Sequence, residues 1–441
     1  MNTPIVDFVK KYAASGTVRL HMPGHKGKGE LGVEQLDITE INGADVLYSP
    51  KGIILESENN ATDLFKTAHT FYSTEGSSLS IKAMLATATA GKSKFVLAAR
   101  NAHKAFLYGA ALLDLSVEWL YPDNSGHICS CILSSEMLKN KLKQMTELPS
   151  AVYVTSPDYL GNVQDIKGIA EVCHSFNIPL LVDNAHGAYL GFLDKSRHPI
   201  HLGADMCCDS AHKTLPVLTG GAYLHIAKNG PQSYCDNARR FLSVFASTSP
   251  SYLIMQSLDF CNKTLSEDFK DNLNETVKRV ELLKTTLENS GWHVLGDEPL
   301  KLTLDCSEFG LSGETVAEEL RQNGIECEFC DRDVIVLLFT PNLGDEVYEI
   351  LKTVVLSFEK SESQTSNINS IIKCEQAMSI RNALFSEQET VAIESALGRI
   401  CAAPNISCPP AVPPVMSGEF ITDKTIEVLK YYNIKQIDVI K

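Results

Sequence analysis

Between about residue 61 and residue 226 the chain alternates two kinds of hydrophobic pattern. Short, nearly unbroken apolar runs at Phe95–Ala99, Val117–Tyr121, Ala151–Thr155, Pro179–Asp183 and Gly221–His225 predict strands. Between them, Ala102–Asp114, Leu133–Gln144 and Asp165–Asn177 carry apolar residues at three-to-four spacing and predict helices, as does Leu79–Ala90. This alternation predicts an α/β fold with a mainly parallel central sheet covered by helices. Ligands in such folds bind at the carboxyl ends of the strands, so residues that follow the apolar runs are the ones to inspect.

The flanking segments have a different texture. Residues 1–45 read as an arm, with a helical piece at Ile5–Ala14 and then a Gly- and Pro-rich stretch containing His21 and His25. After a large domain over 46–265, the polar helix Glu267–Ser290 leads into a smaller α/β domain over 266–358. Its predicted strands are Leu300–Leu304 and Val334–Phe339, and its predicted helices Gly313–Asn323 and Asp345–Phe358. The polar run Glu359–Asn367 marks a linker over 359–370. The C-terminal domain, 371–441, begins with helical patterning at Met378–Phe385 and Ala396–Ile400 and passes into a proline-stiffened loop at Cys408–Glu419. No internal repeat is evident.

Composition narrows the classes. With 441 residues, 44% apolar and 21% charged, the chain has the make-up of a globular protein of two or three domains. A formal charge of −15 argues against nucleic acid or an anionic membrane as the main partner. No run approaches the roughly 18 apolar residues of a spanning helix, and the start lacks a basic region followed by an apolar core, so a cytoplasmic location is expected. Thirteen cysteines, an odd number, fit reduced thiols better than a disulfide framework. Cys327-Glu328-Phe329-Cys330 is a lone CxxC; without a second ligand pair at zinc spacing it reads as neither a metal nor a redox site.

Chemistry concentrates after two apolar runs. Gly203–Cys208 is followed by Asp209-Ser210-Ala211-His212-Lys213-Thr214, which places a lysine near a strand end where it is poised to form a Schiff base. Leu180–Val182 ends in Asp183, followed by Asn184-Ala185-His186. Pyridoxal phosphate (PLP) needs such a pair: a lysine for its aldehyde, and an acid that keeps its pyridine nitrogen protonated so that the ring accepts electrons. Ser73–Leu79 is a Gly-hydroxyl turn entering a helix, which offers free N–H groups to an anion; serine is also a common helix cap.

The segment Ser-Ala-His-Lys-Thr-Leu-Pro (Ser210–Pro216), with Leu218–His225 after it, resembles the active-site lysine segment of the bacterial ornithine/lysine/arginine decarboxylases, PLP enzymes of the aspartate aminotransferase-like fold. The resemblance runs from about residue 18 to 425 and matches the short form, without the extra N-terminal domain of the larger members. It implies a phosphate site at Ser77, Ser78 and Ser210, with serine at Ser78 where threonine is more usual. His103, in Arg100-Asn101-Ala102-His103-Lys104, takes the place of the histidine that stacks on the ring. Asp183 is the nitrogen partner, while Asn184 replaces the usual glutamate. His186 lies near the cofactor or is a buried, hydrogen-bonded histidine. Ser247–Tyr252 matches a segment that approaches the phosphate of the neighbouring subunit, so Thr248 of the partner subunit would complete each site of a homodimer or larger homo-oligomer. The Met22–Gly27 stretch resembles an arm signature near the active site, and no chemistry is assigned to His21 or His25. Glu419 is either a contact for a basic substrate side chain or a solvated glutamate.

The implied reaction is decarboxylation of arginine, lysine or ornithine to the corresponding polyamine-pathway amine (agmatine, cadaverine or putrescine), with His212 or Lys213 returning a proton to the α-carbon. The histidine before the lysine, and the lack of an evident arginine clamp for the α-carboxylate, favour this over an aminotransferase or lyase on the same fold. A catalytically silent PLP-binding subunit is the other alternative, with Asn184 and the altered phosphate loop at Ser78 as its signs.

Overall fold

The computed structural model describes residues 1–122, 126–363, 371–404 and 411–441. In chain order its strands are β1 (His69–Ser73), β2 (Phe95–Ala99), β3 (Ser116–Leu120), β4 (Val152–Thr155), β5 (Leu180–Asp183), β6 (Met206–Asp209) and β7 (Ala222–Ile226). They continue with β8 (His293–Leu295), β9 (Lys301–Asp305), β10 (Phe329–Cys330), β11 (Val334–Leu338), β12 (Gln388–Ala392) and β13 (Gln436–Ile440). The chain divides into two compact units, residues 1–93 with 173–271, and 94–172 with 272–441. The stretch expected to form one large domain, 46–265, therefore contributes to both.

In the first unit the strands are ordered β1-β7-β6-β5. β5 and β6 are parallel, with Asp183 opposite Cys208, whereas β7 runs antiparallel to both β6 and β1. β5, β6 and β7 are buried along their whole length, which is why they read as unbroken apolar runs. Helix Gly76–Thr89 is likewise buried around most of its circumference, against helix Gln232–Phe245, β6 and β7. The arm helix Pro4–Ala14 docks on helices Ile53–Phe65 and Tyr252–Ser266. Asp259 holds its start, accepting hydrogen bonds from Ile5 N (2.9 Å) and Val6 N (3.0 Å), donors that a helix leaves unpaired. His21 and His25 shape the loop that follows: His21 pairs with Tyr12 at 2.6 Å and His25 with Asp37 at 3.2 Å.

The second unit contains the parallel trio β4-β2-β3, a four-stranded antiparallel sheet β10-β11-β9-β8 and the ribbon β12-β13. β11 shows how two cores share one strand. Ile335 and Leu337 pack with Leu302, Leu304, Leu283 and Val354, while Val334 and Val336 pack on the other side with Phe329, Ile128 and Leu160. Alternating side chains thus serve opposite faces. A third cluster, including Cys401, Val415, Leu429 and Val439, centres the C-terminal segment.

The expected helices and strands are present with ends shifted by a few residues at most, except in the C-terminal segment. There the first helix is limited to Ile380–Phe385. Strand β12 and a short 3-10 turn follow it, and Ile400 bridges to Phe420 instead of continuing a helix. Residues 364–370 of the expected linker, and Cys408, Pro409 and Pro410 of the proline loop, lie outside the described residues. The twelve described cysteines are all free thiols. Among the described residues no helix is long and apolar enough to cross a membrane.

Candidate active site

The lysine segment is built by the end of β6. Ser210 precedes a single helical turn, Ala211–Thr214, that carries His212 and Lys213. Lys213 Nζ lies 2.9 Å from His186 Nε2, on the loop that leaves the neighbouring strand β5. At the end of β5, Asp183 is buried, and its Oδ1 accepts from Ala185 N (3.1 Å) and from the Cys208 thiol (3.6 Å). Burial, and then the Asp183 charge, push the Cys208 thiol well up, so it stays protonated and able to donate. Parallel pairing of β5 and β6 therefore brings Asp183, His186 and Lys213 into one neighbourhood, as an α/β sheet does at its strand ends.

The same unit brings together the residues expected at the phosphate. Ser77 and Ser78 begin helix Gly76–Thr89, and Ser210 Oγ donates to Ser77 Oγ at 2.8 Å, which joins the lysine segment to the helix start. Gly76, at φ +69°, donates its N–H to Gly220 O (2.8 Å). Gly220 sits at φ +97°, where a Cβ would meet Ile254 Cδ1 at 3.0 Å and Thr74 O at 3.1 Å, so the turn after the lysine segment needs glycine. His212 is fixed from the same turn, its Nδ1 donating to Gly221 O at 2.9 Å. Glu75 accepts from Ser247 N at 2.7 Å and so tethers the segment on which Thr248 is exposed.

Behind the lysine segment lies a polar network that sequence reasoning did not find. Asp209 Oδ2 accepts from His198 Nε2 (3.0 Å) and His225 Nε2 (3.1 Å), and Oδ1 accepts from Asn184 Nδ2 (2.7 Å); all four residues are fully buried. Burial alone would raise the Asp209 pKa, but His198 and His225 more than offset it and hold the carboxylate well below its usual range. Asn184 is thus a donor to a buried anion. A glutamate in its place would set a second carboxylate beside Asp209. The signals in the sequence were Asp209, immediately before Ser210, and Asn184, but nothing joined them, because the partners of Asp209 come from three other segments.

The remaining expected residues lie in the second unit. His103 caps helix Lys104–Leu113, with Nδ1 accepting from Ala105 N at 3.2 Å. Glu419 is buried, not solvated: its Oε2 accepts from Met416 N (2.8 Å) and lies 3.6 Å from the guanidinium of Arg100. Burial raises its pKa, and the Arg100 charge opposes that. Arg100 also donates to Pro413 O and Pro414 O, each at 3.0 Å, a role not foreseen although the residue stands three positions before His103.

Two family models describe this chain: Orn/Lys/Arg decarboxylase, major domain, matches residues 3–303, and the C-terminal domain of the same family matches residues 360–437. The chain belongs to the Orn/Lys/Arg decarboxylase family. Among the family's curated members, it is 30% identical to an arginine decarboxylase of Bacillus subtilis over 99% of this chain and 94% of that protein. It is 28% identical to an arginine decarboxylase of Bacillus anthracis, over 97% and 92%. The fold of the family is evident in two solved structures. Francisella novicida lysine decarboxylase aligns with a TM-score of 0.82 at 15% identity, covering all of this chain and 81% of that one. The constitutive lysine decarboxylase of E. coli aligns at 0.79 and 18%, covering all of this chain and 82% of that one. As a family member the chain is a decarboxylase of basic amino acids, with the α/β, mostly parallel fold of PLP enzymes.

Proposed function

We propose that this decarboxylase uses PLP to convert arginine to agmatine and carbon dioxide. The observation that carries the reading is the grouping of Lys213, His186 and Asp183 at the ends of two parallel strands, in a chain similar along nearly its whole length to arginine decarboxylases. Similarity to the ornithine and lysine decarboxylases of Haemophilus influenzae and Pseudomonas aeruginosa is lower, at 22% identity over about two thirds of each.

The residues present fit the cofactor. Lys213 offers the amine for its aldehyde, and Asp183 a buried carboxylate for its pyridine nitrogen. Ser77, Ser78 and Ser210 give hydroxyls at a helix start for its phosphate. His103 is assigned to the face of the ring, and Thr248 of the partner subunit to the phosphate in a homodimer or larger assembly in the cytoplasm. When bound, PLP supplies the electron sink that lets the α-carboxylate leave as carbon dioxide. The chain's own groups orient and move protons. Ala185 N–H and the Cys208 thiol hold the Asp183 carboxylate in a fixed orientation. Lys213 Nζ hydrogen-bonds to His186 Nε2, which keeps the amine in place. His212, with its Nδ1–H on Gly221 O, presents Nε2 as the atom that takes or returns a proton. Glu419, already engaged by Arg100, is assigned to the basic side chain of the substrate.

The test is amine and carbon dioxide release by the PLP-loaded protein given arginine, lysine and ornithine separately, with Lys213→Ala alongside. Agmatine from arginine, abolished in the variant, is the expected result. Faster release from lysine or ornithine would overturn the choice of arginine. Release from none of them, with Lys213-dependent PLP absorbance intact, would overturn the catalytic reading.

A further inference from the structure

The CxxC of the second unit has a geometry that its sequence does not announce. β10 is an outer strand of the four-stranded sheet and, among the described residues, has one edge unpaired by strands. Along an extended strand Cys327 and Phe329 would face one way and Cys330 the other. Instead, a bend at Glu328, whose N–H donates to Val336 O at 3.0 Å, breaks the alternation. Both cysteines then pack against the same apolar cluster, while Phe329 between them packs into the opposite one. The two side chains therefore lie on one side of the chain, three residues apart across a bend, and both are half-exposed.

We propose that Cys327 and Cys330 form a reversible disulfide, a redox-modification site that responds to low-molecular-weight disulfides. In the first step the Cys327 thiolate attacks one sulfur of the oxidant RSSR; the S–S bond breaks, a mixed disulfide forms on Cys327, and RS⁻ leaves and takes a proton. The Cys330 sulfur then gives up its proton and attacks the Cys327 sulfur, releasing a second RSH. Two protein thiols lose two electrons, and RSSR gains them as two RSH. The loop closed is short and constrains the unfolded chain little, so the bond is suited to switching and not to stapling the fold. The electrostatics agree with the order of attack. The neighbouring Cys330 thiol lowers the Cys327 pKa to about 7, opposed by burial and by Glu326 and helped by Arg321, whereas Cys327 and burial push Cys330 far up. Cys235 and Cys374, also half-buried, are pushed up by burial and serve as internal controls.

At pH 7, a pKa of about 7 instead of 9 gives about fifty-fold more thiolate, and the lower basicity makes it about ten-fold less nucleophilic, so Cys327 should alkylate about five-fold faster than an ordinary exposed thiol. The full-length protein is treated with oxidised glutathione, blocked with N-ethylmaleimide and mapped by peptide mass, beside Cys327→Ser and Cys330→Ser. The expected results are a linked 327–330 peptide reversed by dithiothreitol, a glutathione adduct on Cys327 in Cys330→Ser, and none on Cys330 in Cys327→Ser. Absence of the linked peptide overturns the proposal. So do adducts that accumulate on Cys235 or Cys374 while Cys327 in Cys330→Ser stays unmodified.

Discussion

Replacing Asn184 by aspartate changes one NH2 group for an oxygen, yet it strikes a fully buried polar network. The new oxygen would stand at the position of Asn184 Nδ2, 2.7 Å from Asp209 Oδ1, with neither residue reached by solvent. Two unit charges at that distance repel by about 6 kcal/mol even at an effective dielectric constant of about 20. The cheaper response is for the introduced carboxyl to stay protonated and donate to Asp209 as the amide did. Keeping it neutral costs about 1.4 kcal/mol per pH unit above its unfolded pKa of about 3.9, or about 4 kcal/mol at pH 7 and about 1.5 kcal/mol at pH 5. The sign follows from a folded pKa raised above the unfolded one: the variant matches the parent below about pH 4 and loses stability as pH rises toward its folded pKa. Urea unfolding of parent and Asn184→Asp between pH 5 and pH 8 measures this directly. A stability difference that does not change with pH would refute the reasoning. The double variant Asn184→Asp, Asp209→Asn, which leaves one carboxylate in the network, should lose most of the pH slope. Restoring the family's usual glutamate alone, Asn184→Glu, should destabilise this chain.

Removing the Arg100 side chain should cost about 3–5 kcal/mol in urea unfolding, because Glu419 would remain buried without its cation; Glu419→Gln should cost less, and equal costs would argue against the pairing. Asp259, whose burial raises its pKa to about 6 from 3.8, gives stability that is full below about pH 3.8 and lost as pH rises through about 6, a swing of about 3 kcal/mol. Asp259→Asn should therefore gain on the parent across pH 4 to 6 and hold a constant difference above it; a difference flat throughout would contradict the assignment.

The parts of the fold that were legible are those where one strand or helix announces itself. The strand ends carrying Asp183 and the lysine segment stood out because a fully buried parallel strand reads as an apolar run and stops abruptly at a polar residue. β1, His-Thr-Phe-Tyr-Ser, carries polar residues that are satisfied inside: Thr70 pairs with His225 and Tyr72 with Ser57, so its burial left no aliphatic trace. β12 is largely exposed along its length and gave no hydrophobic signal. The Asp209 network and the Arg100–Glu419 pair were illegible for another reason. Each joins residues far apart in the chain, and what makes Asn184 intelligible is a neighbour that only the packing of β5 beside β6 supplies.

Arg100 reaches the C-terminal segment through the main-chain oxygens of residues 413 and 414, not through their side chains. Such a lock recognises the path of the chain and is indifferent to its spelling. The lock itself makes no demand on the side chains at those two positions, which are constrained instead by their burial. Arg100, Glu419 and the number of residues between 414 and 419 are constrained by the lock. Comparison of related sequences should find a fixed arginine and a fixed spacing there, and an inserted residue should do more harm than either proline replaced by an apolar residue of similar size.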